Sequence, residues 1–132
     1  MKIFNTFSII VGGVGGFFAS LLGGFDKLLI GLITLIALDY FTGVCKGVAT
    51  KTLSSAIGFK GLIKKIIILV VVAVAVVVEN VLGEGIPVRE IVIIFFMCNE
   101  GISLLENASE FIPIPQRLKD ILIQLRDKNN AK

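Results

Sequence analysis

The chain has 132 residues, of which 55% are hydrophobic and 17% charged, and its net charge is only +3. Ordinary globular chains have about 45–50% apolar and about 25% charged residues, so this composition is not that of a water-surrounded domain. The absence of His excludes imidazole-based metal sites and acid–base catalysis, and the small, scattered positive charge does not favour nucleic acid. Cys45 and Cys98 lie far apart in apolar runs, a pattern of neither a zinc cluster nor a disulfide framework. No cofactor, metal site or enzyme activity is expected.

Four apolar runs are long enough to be transmembrane helices, which need about 20 mostly apolar residues. The predicted spans are 3–25, 28–45, 66–82 and 88–105. The fourth is the weakest, because it carries Arg89, Glu90 and Glu100. In an alternative interpretation the Gly-rich half of the first run is re-entrant, which leaves three spans. We therefore predict an all-α integral membrane protein with a transmembrane domain over residues 1–111 and four, or alternatively three, transmembrane helices.

Residues 112–132 are predicted to form a cytoplasmic amphipathic tail. After Pro113 and Pro115, a helix from Gln116 to about Lys128 places one apolar stripe at helical spacing. The stripe consists of Leu118, Ile121, Leu122 and Leu125. This helix is too short to span a bilayer, so we expect it to lie on the membrane or to pack against its copy in another subunit.

The charges of the short loops predict the orientation, because cytoplasmic loops carry an excess of Lys and Arg. The loop between the second and third runs should be cytoplasmic, with Lys46, Lys51, Lys60, Lys64 and Lys65. The loop from Gly83 to Pro87 contains Glu84 and no basic residue, so it should be outside. Alternation then places both termini in the cytoplasm of a multi-pass membrane protein.

Small residues recur every four positions in the first span, and such faces allow helices in lipid to approach closely. They are Gly12, Gly16, Ser20 and Gly24, with a shorter pair, Gly43 and Gly47, at the end of the second span. These residues are candidates for helix packing or for oligomerisation. In the first span, the possibilities are assembly with other copies and packing against the second span of the same chain. A loop or kink at Gly12 and Gly13 is a further possibility.

Polar residues form a stripe on the fourth span, and an acid lies inside the second. Such groups cannot face lipid, so they face protein, water or the membrane surface. The candidates for a polar network or a pore lining are Asp39, Thr42, Asn99, Glu100, Ser103, Glu106 and Asn107. The alternative to pore lining is a hydrogen-bond network that holds the helices together.

A basic segment precedes the third span. Ser54 or Ser55 can cap a short surface helix, and Lys60, Lys64 and Lys65 are candidates for anchoring to lipid phosphates. The simpler interpretation is an ordinary positively charged loop with no further task.

Three segments resemble the toxin-secretion and phage-lysis holin family, in the same order and over roughly residues 28–122. They are Leu38–Gly43 followed by Lys46 and Gly47, Ser54–Gly61 leading into Lys64 and Lys65, and Asn99–Asn107 followed by Ile112–Pro115. The Gly-rich first span is the part least similar to the family.

The resemblance implies a small protein of the bacterial cytoplasmic membrane that assembles with itself and opens lesions. These lesions release an endolysin or toxin, without a need for direct contact with it. No catalytic residue is implied. The alternatives are a small homo-oligomeric ion or solute transporter or channel, with Asp39 or Glu100 as its coupling site, and an accessory subunit that scaffolds another membrane protein.

Overall fold

The computed structural model describes residues 2–83 and 85–130, and the regular structure within these ranges is entirely helical. The predicted all-α class is therefore confirmed. The helices are α1 (Lys2–Leu21), α2 (Lys27–Ala49), α3 (Ser55–Leu82), α4 (Val88–Ala108) and α5 (Gln116–Asn130). Three of them, α1, α2 and α3, are long and apolar enough to cross a membrane.

The first helix ends four residues before the predicted boundary at residue 25. Gly23 has a φ of +86°, which interrupts the helix, and Asp26 begins the next one as its N-cap. The Asp26 carboxylate accepts a hydrogen bond from the Leu29 backbone N–H at 2.9 Å. This cap satisfies an amide that the first turn of a helix leaves without a partner.

The third helix begins earlier than predicted. Ser54 is its N-cap and accepts a hydrogen bond from the Ile57 backbone N–H at 3.2 Å. The expected surface helix and the expected third span are therefore one continuous helix of 28 residues. At 1.5 Å per residue it is about 42 Å long, which exceeds the hydrocarbon thickness of a bilayer, about 30 Å.

Helix α4 is the centre of the packed body and contacts α2, α3 and α5. Arg89 at its start contacts Asp26 at the start of α2, and Asn107 near its end contacts Asp39 of α2, so α2 and α4 run parallel. Helices α3 and α5 run antiparallel to α4. The core contains Leu32, Val72 and Ile93, each fully buried.

Helix α1 stands apart from this body and contributes no buried residue. It is continuous through its glycines, including Gly12 and Gly16, so the break expected from a re-entrant segment is not found in this helix. An added Cβ at either glycine would meet no atom within 4 Å. The small face of α1 is therefore open, and it does not pack against α2 as the intrachain alternative expected.

Two sequence expectations concern residues outside the described ranges. The outward orientation of the loop 83–87 depends on Glu84, and the predicted tail includes residues 131–132. The helical part of the tail reaches Asn130 rather than ending at about Lys128.

Candidate functional site

Three helices meet at a central ion cluster formed by Asp39 of α2, Lys65 of α3 and Glu100 of α4. The Lys65 ammonium pairs with the Asp39 carboxylate and lies 2.5 Å from Glu100 Oε2. The side chains of Asp39 and Glu100 are 4% and 7% exposed, and that of Lys65 is 16% exposed. One lysine therefore compensates two acids that would otherwise be buried without a counter-charge.

A neutral donor, the side-chain amide of Asn107, completes the cluster. Asn107 donates from Nδ2 to Asp39 Oδ1 at 2.9 Å, to the Asp39 carbonyl at 3.2 Å and to Thr42 Oγ1 at 3.2 Å. Because one positive charge faces two negative ones, these amide contacts help to stabilise the remaining negative charge. The arrangement ties α2, α3 and α4 together through polar contacts within an otherwise apolar body.

An open groove of about 440 Å³ lies beside the cluster. Asp39, Lys65, Ser103 and Asn107 are among its lining residues. Ser103 therefore lies near the cluster. Tyr40 of α2 and Gly58 of α3 also line this groove. The Tyr40 hydroxyl donates a hydrogen bond to the Gly58 carbonyl at 3.2 Å.

Two residues of the predicted stripe have partners on α5 instead. Asn99 Oδ1 accepts from Arg126 Nη1 at 3.1 Å, and Glu106 Oε1 lies 2.9 Å from Lys119 Nζ. The predicted network is therefore divided between two faces of α4. Asp39, Thr42, Glu100 and Asn107 meet on one face, whereas Asn99 and Glu106 contact the C-terminal helix.

Lys65 requires a correction, because its ammonium is directed into the ion cluster and not toward lipid phosphates. Lys60 and Lys64 are exposed on the same helix, so they remain candidates for phosphate contact. The positive-inside pattern treats all three lysines alike. Only the rotation of α3 relative to α2 and α4 distinguishes Lys65 from its neighbours.

The predicted packing glycines also differ in their surroundings. Gly24 has a φ of +103° and lies in the turn after α1, so it does not belong to the small face of that helix. An added Cβ at Gly43 would lie 3.5 Å from Asn107 Nδ2, and one at Gly47 would lie 3.0 Å from Leu53 Cβ. Both are therefore used for packing within the chain.

A second polar site, which the sequence did not predict, joins the start of α4 to the turn between α1 and α2. Arg89 donates to both Asp26 carboxylate oxygens, at 2.8 and 3.1 Å, and to the carbonyls of Leu22 at 2.6 Å and Gly24 at 3.1 Å. Hydrogen bonding from Arg89 and from the Leu29 backbone N–H lowers the pKa of Asp26 from 3.8 to about 2. The one signal in the sequence that indicates this site is Arg89 itself, because an arginine in an apolar helix needs acceptors within the protein.

The long apolar helices, with Asp39, Lys65 and Glu100 paired inside the body, define a helical membrane protein. The chain matches the bacteriophage holin family over residues 16–127, which is most of its length, and it belongs to that family.

Two relatives come from Clostridium perfringens. An uncharacterized protein is 43% identical over 121 residues, which cover 90% of each chain. An uncharacterized 14.9 kDa protein in the nagH 3′ region is 42% identical over 129 residues, which cover 96% of this chain and 98% of the relative.

A more distant relative is the probable holin of Bacillus phage phi105, which is 29% identical over 102 residues, or 76% of each chain. No solved structure matches the chain.

Proposed function

We propose that this protein is a holin that assembles with itself in the bacterial cytoplasmic membrane and permeabilises it, so that an endolysin or toxin is released. The family match over residues 16–127 is the observation that carries the proposal. The probable holin of phage phi105 supports it. The ion cluster then has a structural task, because it holds three helices together inside the bilayer.

The proposed topology has four spans with both termini in the cytoplasm. Helix α4 is less apolar than the other three, but Arg89 and Glu100 are both buried and paired with groups of the same chain. The charges of these two residues are therefore not presented to lipid. The third charged residue of the predicted span, Glu90, is exposed, but it lies in the first turn of α4, at the end of the proposed span. Cysteines introduced at Thr50 and Gly85, in a chain lacking the native cysteines, test this topology. Only Gly85→Cys should react with an impermeant thiol reagent in intact cells, and reaction of Thr50→Cys would contradict it.

The permeabilising activity can be tested by induced expression in bacteria that carry an endolysin without its own export signal. We expect growth to stop abruptly and a cytoplasmic enzyme to appear in the medium. The control strain expresses the endolysin alone. Continued growth and retention of the enzyme, with the chain present in the membrane, would contradict the proposal.

Self-assembly is proposed to use the open small face of α1, where bulky residues would keep two backbones apart. Gly16→Leu should reduce cross-linked oligomers at equal membrane levels. Leu21→Ala is the control, because it removes bulk instead of adding it. Since Gly16 has no neighbour within 4 Å, the replacement should leave the fold of a single chain intact. Unchanged oligomers would show that α1 does not mediate assembly.

The transporter alternative is less well supported by the geometry. A coupling site needs a carboxylate that binds and releases an ion, but both candidate acids, Asp39 and Glu100, are paired with Lys65. In the test above, a transporter would leave the cytoplasmic enzyme inside the cell.

A further inference from the structure

Helix α5 packs along α4, in an orientation that brings charged residues to the depth of the fourth span. Near its start Lys119 pairs with Glu106, and near its end Asn129 donates to the Ile91 carbonyl at 2.8 Å. The 15 residues of α5 extend about 22 Å, most of the hydrocarbon thickness. If α4 spans the bilayer, α5 lies beside it through most of that thickness, and its last residues lie near the outer end of α4. The cytoplasmic C-terminus of the proposed topology is then reached when α5 leaves α4.

The outer side of α5 carries both apolar and charged residues in this position, and Leu118, Ile121 and Leu125 are exposed on it. Its exposed charged residues are Arg117, Asp120, Asp127 and Lys128. Charges at such depths are costly unless they face water or a protein partner. These charged residues are therefore more stable beside water than beside hydrocarbon, so the packing of α5 depends on which of the two surrounds it.

The surface of α4 beneath α5 includes polar and small residues. Asn99 and Glu106 have their partners on α5, and an added Cβ at Gly101 would lie 3.2 Å from Leu122 Cδ1. When α5 leaves, these groups lose their partners and must find water, because lipid offers none. The face that α5 covers is therefore suited to an aqueous lumen.

The connection between the two helices is suited to such a movement. Residues 109–115 contain Pro113 and Pro115, which cannot continue a helix, and they lie at the cytoplasmic end of α4 in the proposed topology. The ion cluster joins α4 to α2 and α3 without any residue of α5. The remaining body therefore keeps the polar contacts of the ion cluster when α5 departs.

We propose that α5 is a releasable cover on α4, and that its departure toward the cytoplasmic surface exposes the polar face of α4 to the water of the opening lesion. This inference rests on the proposed holin function and adds the step that precedes opening. Contacts between α4 and α5 should then delay permeabilisation.

Charge reversal at the Lys119–Glu106 pair tests the cover in induced cells. Lys119→Glu and Glu106→Lys should each accelerate the release of a cytoplasmic enzyme by about two- to five-fold, the equilibrium shift expected of a partly exposed ion pair. The double variant should restore the wild-type rate because the pair is re-formed with exchanged charges. Lys128→Glu is the control, since it makes the same charge change at an exposed position of α5. Equal acceleration by the control, or no acceleration by either reversal, would overturn the proposal.

A reversible lock provides the second test. Glu106→Cys and Lys119→Cys are combined with Cys45→Ala and Cys98→Ala, and the full chain is reconstituted into vesicles of anionic phospholipid. Bridging the two cysteines with a short, reducible thiosulfonate reagent should block the release of an enclosed fluorescent dextran, and a reductant should restore it in the same vesicles. Equal release by locked and reduced protein would overturn the cover alone. An absence of release from vesicles containing the wild-type chain would instead contradict the holin function.

Discussion

Replacing Lys65 with methionine tests the ion cluster most directly. The substitution keeps the length of the side chain and removes the charge that compensates Asp39 and Glu100. Those two side chains are only 4% and 7% exposed, so they would be left buried with two negative charges and no cation. We expect a large loss of stability.

The size of this loss follows from the geometry. Removing one partner from a buried ion pair costs about 3–5 kcal/mol. Asn107 still donates to Asp39 in the variant, which favours the lower end, about 3 kcal/mol. For a chain of this length 1 kcal/mol corresponds to a shift in Tm of about 4 °C, so Lys65→Met should lower the Tm by about 12 °C.

Cys98 provides the assay, because it is buried in α4. In a Cys45→Ala background, a thiol-reactive fluorophore labels Cys98 only when the body unfolds. Heating the protein in detergent with this reagent therefore gives its Tm. Each Lys65 variant is compared with the same background.

Lys64→Met is the matched control, since it removes the same charge at the position next to Lys65, where the side chain is exposed. It should change the Tm little. Adding Glu100→Gln to Lys65→Met removes one of the two uncompensated charges and should recover part of the loss. The reasoning is refuted if Lys64→Met and Lys65→Met are equally destabilising.

Three further substitutions test the two polar sites by Tm measurements. The pKa of Asp26 in the folded protein, about 2, is below its ordinary value of 3.8, so the Asp26 carboxylate stabilises the fold above pH 3.8, and this stabilisation is lost as the pH falls toward 2. Asp26→Asn should remove this dependence of the Tm on pH, and an unchanged profile would contradict the reasoning. Gly24→Ala should cost about 1–2 kcal/mol of stability through backbone strain alone. Gly23→Ala should cost more, because its new Cβ would also lie 2.4 Å from Arg89 Nε; equal losses of stability would refute this clash. Glu100→Gln keeps an acceptor and balances the cluster charge, so its Tm should change by no more than about 4 °C; a larger fall would show that the charge itself is required.

The sequence predicted the helical class and the apolar segments of the long helices, because long runs with few charged residues have few alternatives in a chain of this composition. It placed the boundaries less well. The turn after α1 depends on Arg89, which is 67 positions away from Leu22 and holds its carbonyl. Gly23 and Asp26 are local signals of this turn, but the apolar run that continues to residue 25 led to the later boundary.

The polar site was predicted in its acids and amides but not in its cation. Asp39, Glu100 and Asn107 stood out because polar groups in apolar helices need partners. Lys65 was assigned to the lipid surface, because it follows Lys60 and Lys64 in a basic segment. Which of these lysines turns inward depends on the rotation of α3, and a pattern of charges along the chain does not contain that information.

The isolation of α1 has a consequence for the tolerance of the chain to mutation. No residue of α1 is buried, and the family match begins only at residue 16. Packing within the chain therefore places little constraint on the residues of α1. The remaining constraints are the thickness of the bilayer and the contacts with other copies in the proposed assembly. A deep mutational scan should find α1 freely exchangeable among apolar residues outside its small face, whereas comparable changes at Leu32, Val72 or Ile93 should be eliminated. Sequence drift in this family should concentrate in its first helix.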